Sequence, residues 1–104
     1  MRTSVFKIEK NDINRARYLN LMNSWNKHGN YKINREDSLY AVAFGEVVLA
    51  GASVNMSDNR ANILFLNNSH CHEEEVKIDG TTQLSNLLDE EYGSIDKVIQ
   101  YVKR

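Results

Sequence analysis

Proline is absent from the 104 residues, and cysteine occurs once, at Cys71. A lone cysteine cannot staple the fold, which excludes a disulfide scaffold and fits a reducing, cytoplasmic compartment. Long apolar runs are also missing. A run such as Val47 to Ala52, which includes Gly51, falls far short of the roughly 18 residues that a membrane helix needs. The N-terminal stretch Met1 to Lys7 lacks the apolar core of a secretory signal. The five glycines (29, 45, 51, 80 and 93) are scattered, and neither the P-loop nor the dinucleotide-binding glycine pattern is present. The serine elbow of hydrolases, the zinc-protease HExxH and paired CxxC motifs are missing too. No cofactor is expected from these residues.

What is present describes one folded domain, residues 1–104. The hydrophobic fraction of 41% and charged fraction of 26% are those of a soluble globular chain. Asparagine occurs 13 times, which fits AT-rich coding such as that of many bacteria and their phages. Charge is segregated along the chain. Residues 1–35 hold eight Lys/Arg against Glu9 and Asp12, and residues 73–96 hold eight Asp/Glu against Lys77. Such a separation steers encounters with charged partners unless the two regions fold against each other and neutralise.

Periodicity gives a coarse architecture. Thr3 to Glu9 predicts a strand, and Asn11-Asp12 offers a helix cap. Tyr18, Leu21, Met22 and Trp25 then fall at i, i+3, i+4 and i+7, one apolar helix face that stops at Gly29. Residues 30–38 read as a loop. Leu39 to Phe44 and Val47 to Val54 form a hairpin about Gly45-Glu46. Ser57-Asp58-Asn59 turns the chain into a strand at Ala61 to Leu66. Gly51 marks a bulge or a close approach, and the small residues from Ala50 to Ser53 leave room for a packed helix. Further on, Glu75 to Ile78 suggests an edge strand closed by Asp79-Gly80. Thr82 would cap a short helix with Leu84, Leu87 and Leu88, and Gly93-Ser94 would break it. Ile95, Val98, Ile99 and Val102 follow helical spacing in a last helix. The expected fold class is α+β. It has an antiparallel sheet of 4–5 strands, an N-terminal helix and two short C-terminal helices, with the helices on one face. The order is β-α-β-β-β-(β)-α-α.

Three residue sets carry candidate chemistry. His70, His72 and Glu74 would share one side of an extended segment, and two imidazoles with a carboxylate are legitimate metal ligands. The acidic residues Glu73, Glu74, Glu75, Asp89, Glu90 and Glu91 could dock on a basic groove of a larger protein. Arg15, Arg17, Lys27, Lys32 and Arg35, interleaved with aromatic residues, could contact nucleic acid. Tyr18 and Trp25, however, lie on the core side of the helix by periodicity.

Tyr40-Ala41-Val42-Ala43-Phe44-Gly45-Glu46-Val47-Val48-Leu49-Ala50-Gly51-Ala52 resembles the second and third strands of GNAT-fold N-acetyltransferases. The preceding strand and helix fit that family's opening order, so the resemblance spans residues 3–66. It implies a coenzyme A loop of the form Arg/Gln-x-x-Gly-x-Gly/Ala after the next strand. Here that place holds Asn67-Asn68-Ser69-His70-Cys71-His72-Glu73, whose acidic continuation would repel a pyrophosphate. No catalytic residue follows from the resemblance. The expected function is a small non-enzymatic binding protein, a regulator or inhibitor such as phages and mobile elements carry. The alternatives are a divergent GNAT-like acyltransferase or metal-binding enzyme, or a nucleic-acid binder. A free edge strand would also allow a homodimer.

Overall fold

The computed structural model describes residues 3–26, 33–45, 47–55, 57, 59–67 and 74–103. Strand β1 (Thr3–Ile8) leads into helix α1 (Arg15–Trp25), followed by strands β2 (Ser38–Phe44), β3 (Val47–Asn55) and β4 (Arg60–Asn67). Helix α2 (Glu74–Tyr92) and strand β5 (Asp96–Lys103) follow. The opening β1-α1-β2-β3 order is the one the sequence suggests. Phe44 pairs with Val47, so the hairpin closes on a two-residue loop, and Gly45 supplies its positive φ of 63°. Asn55 pairs with Arg60 across the second turn, where Asn55 Oδ1 accepts the Ser57 N–H at 2.9 Å. Asn11-Asp12 does not cap α1. The N-cap is Asn14, without a side-chain capping bond, and Asp12 Oδ1 instead accepts the Asn14 N–H at 2.7 Å.

The sheet is mixed rather than antiparallel. Its strand order is β1-β2-β3-β4-β5; the first four strands pair antiparallel, and β5 runs parallel to β4. Parallel neighbours require a crossover, which α2 provides. The element order is therefore β-α-β-β-β-α-β. The expected last helix is β5. Ile95, Val98, Ile99 and Val102 satisfy helical spacing, but β-branched residues at 98, 99 and 102 favour a strand that is apolar on both faces. The expected strand at Glu75 to Ile78 and the expected turn at Asp79-Gly80 are the first turns of α2, and Thr82 lies inside that helix. Gly80 does not break it because Gly80, Leu84 and Leu88, four residues apart, form its buried stripe. A Cβ at Gly80 would lie 2.9 Å from Val42 Cγ1, so close packing on β2 selects glycine there.

The two helices cover opposite faces of the sheet, not one. Tyr40, Val42, Ala52, Val54, Ile63 and Phe65 pack with Leu84 and Leu88 of α2. Residues of the other parity, Ile8, Leu39, Ala41 and Leu64, pack with Met22 and Trp25 of α1. Gly51 is the close approach on the α1 side, where an added Cβ would lie 2.8 Å from Met22 Cγ and Cε. The bulge sits two residues earlier: Val42 pairs with Ala50 and Ala43 with Val48, leaving Leu49 as the extra residue. Among the described residues, no helix is long and apolar enough to cross a membrane.

Candidate functional site

Charge is sorted by layer. Helix α1 carries Arg15 and Arg17 and no acidic residue, whereas α2 carries six carboxylates against Lys77. Because the sheet separates the helices, the two sets stay apart along most of their length. A cation from outside both sets reaches α2: Lys7 Nζ of β1 lies 3.8 Å from Glu91 Oε2.

On the α1 side, the candidate nucleic-acid residues have different roles. Arg15 is a clamp. Its guanidinium donates to the carbonyls of Ile8 at 3.4 Å, Arg35 at 2.7 Å and Asp37 at 2.5 Å. The buried Asp37 carboxylate accepts the Asn34 N–H at 3.0 Å, so this corner ties α1 to the end of β1 and the entry of β2. Arg17 is exposed and has no polar partner among the described residues. It lines a cleft of about 270 Å³ with Asn14, Tyr18, Leu21 and Val48. Arg35 is exposed, while Lys27 and Lys32 lie outside the described residues.

On the α2 side, the helix end carries a polar cluster. The Tyr40 hydroxyl donates to Glu91 Oε2 at 2.5 Å and lies 2.6 Å from the Tyr92 hydroxyl. Burial first, then the bonds to Glu91 and Tyr92, push the Tyr40 phenol well above its ordinary range. At the other end of the β1 contact, Thr3 Oγ1 donates to Asp79 Oδ2 at 2.6 Å, and Gln83 Nε2 reaches both groups. Asp89 accepts from Lys97 Nζ of β5. Glu90 is exposed and free of a polar partner among the described residues. Glu74 and Glu75 open α2, and Glu73 lies outside the described residues. The acidic set is thus divided between residues that fasten α2 down and residues that face solvent.

The metal set is only partly in view. His70 and His72 lie outside the described residues, and Glu74 begins a helix instead of continuing an extended segment. Among the described residues, no three His, Cys, Asp or Glu side chains gather as metal ligands. Two features had no sequence signal. Tyr40 and Glu91 are 51 positions apart, and no local pattern joins them. Ser53 and Asn62, direct cross-strand partners on the α1 face, are both buried, and Ser53 Oγ and Asn62 Oδ1 have no hydrogen-bond partner among the described residues.

No family model matches this chain. No curated protein matches it either. Among solved structures, the chain is similar to an aminoglycoside acetyltransferase, meta-AAC0020, from an uncultured soil metagenomic sample, determined in complex with sisomicin. The superposition covers 94% of this chain and 76% of that one, with a TM-score of 0.49 and 8% sequence identity. That is a weak and partial structural resemblance.

Proposed function

We propose that this chain is a small binding module, a regulator or inhibitor of the kind mobile elements encode, that engages a larger cytoplasmic protein through its charge-polarised surface. The observation that carries this reading is the placement of α2. Six carboxylates lie on one helix, which among the described residues is the helix on its face of the sheet, opposite the arginines of α1. An acidic helix held rigidly by Leu84, Leu88 and the Tyr40–Glu91 bond presents its remaining charge, Glu90 foremost, to a basic partner. Complementary charge speeds encounter and selects partners, and this requires no catalytic residue.

Affinity capture of the tagged protein from a nuclease-treated bacterial lysate tests the reading. One stoichiometric protein partner, released by raised salt, is expected. A catch that disappears with nuclease treatment would favour the nucleic-acid reading instead. That alternative draws on Arg17 and Arg35 among the described residues, since Arg15 is committed to backbone carbonyls. The metal and acyl-transfer alternatives turn on residues 68–73, outside the described residues. A homodimer would form along β5, an edge strand with Val98, Ile99 and Tyr101 exposed.

A further inference from the structure

The cleft beside α1 belongs to neither the acidic face nor the core, and its lining is that of a small-ligand site. Leu21 and Val48 line it with apolar side chains, and the other lining residues, Asn14, Arg17 and Tyr18, carry an amide, a guanidinium and a phenol. Each polar group is uncommitted. The Asn14 side chain makes no capping bond to the helix it precedes. Neither the Arg17 guanidinium nor the Tyr18 hydroxyl has a polar partner among the described residues, although the Tyr18 ring packs edge-on against Phe6. A few polar groups among apolar side chains are the usual composition of a ligand pocket.

We propose that this cleft binds a carboxylate carried on a short apolar body. The cation selects an anion, and the planar guanidinium fork matches a carboxylate's two oxygens. A phosphate dianion fits less well. One arginine is available, and the Asp12 carboxylate is close by, bonded to the Asn14 N–H at 2.7 Å. The volume of about 270 Å³ sets the scale at a small acid or a chain end. The carboxylate could come from a free organic acid or from the C-terminus of a peptide with an apolar last residue.

Titration of ¹⁵N-labelled protein, followed by amide and Arg17 Nε–H shifts, tests this with five probes. They are hexanoate, hexan-1-ol, inorganic phosphate and an N-acetylated peptide ending in leucine, with a free or amidated C-terminus. Saturable shifts at Asn14, Arg17, Tyr18 and Val48 are expected with hexanoate, weaker ones with hexanol and phosphate. Arg17→Gln should weaken hexanoate about tenfold, the scale of a lost charge-assisted bond. Arg17 is exposed and has no polar partner among the described residues, so the variant should keep the wild-type spectrum elsewhere. Tighter binding of the free-ended peptide than of hexanoate would identify a chain terminus as the source. Equal response to hexanol, tighter binding of phosphate, or an Arg17→Gln titration that matches wild type would each overturn the proposal.

Discussion

Tyr40 shows how one side chain fixes a helix to the sheet and sets a pH dependence. Its ring is buried among the α2-facing core, and its hydroxyl bonds Glu91 and Tyr92 at the end of α2. Tyr40→Phe should cost about 1–3 kcal/mol by denaturant unfolding, because a charge-assisted bond is lost and its acceptor stays behind. In the unfolded chain the phenol ionises above about pH 10, while in the folded state its raised pKa keeps the proton. This contribution to stability is therefore full below pH 10 and lost progressively above it. Stability measured between pH 8 and 11 should fall more steeply for wild type than for Tyr40→Phe. Gly80 is the second informative position. Alanine would gain roughly 1 kcal/mol of helix propensity, but its Cβ would meet Val42 Cγ1 at 2.9 Å. Val42 is β-branched and fully buried, so it has little room to yield. Gly80→Ala should destabilise by about 1 kcal/mol in the wild type, within the range of overpacking costs. In a Val42→Ala background the same substitution should become stabilising, and a double-mutant cycle would show the change of sign.

At the scale of elements, Arg15 determines how α1 meets the sheet. Arg15→Met retains much of the aliphatic stem but strands the carbonyls of Ile8, Arg35 and Asp37. A loss of about 2–3 kcal/mol is expected, with Arg15→Lys recovering little because its single nitrogen, on a shorter side chain, cannot span acceptors that two guanidinium nitrogens reach. Thermal or denaturant unfolding of the two variants checks this. The β2-β3-β4 meander was legible in the sequence because its apolar runs are separated by turn residues whose backbone demands, Gly45 above all, are local. The room for a helix over Ala50 to Ser53 was legible too, and Met22 occupies it above Gly51. The second half was not. Val98 and Ile99 lie on opposite faces of an edge strand, and a two-faced apolar strand mimics helical spacing. Glycine at position 80 reads locally as a turn, and only its contact with Val42, 38 positions away, explains it within a helix. The cleft was hidden for a related reason. Arg17 and Tyr18 looked like a basic patch and a core residue until Val48, from another strand, was placed opposite them.

For the whole molecule, the sequence dipole becomes a difference between layers. Among the described residues, the arginines of α1 and the carboxylates of α2 lie on opposite faces of the sheet, while Lys7 and Lys97 pair with Glu91 and Asp89 of α2. The outward side of α2 is then a surface whose charge can be altered without touching the core. Asn86 and Glu90 are both exposed and lie one helical turn apart, so lysine at both creates a local basic patch. Arg17→Gln, on the opposite face, is the control. The most direct measurement is nuclease-treated capture from lysate by wild type, by Asn86→Lys/Glu90→Lys and by Arg17→Gln, at low and at raised salt. A protein partner retained by wild type and Arg17→Gln, but weakened by the two lysines on α2 and lost at raised salt, is the expected result. A wild type that retains no protein, or one whose partner is held equally well by the doubly substituted helix, would contradict binding through the acidic face of α2.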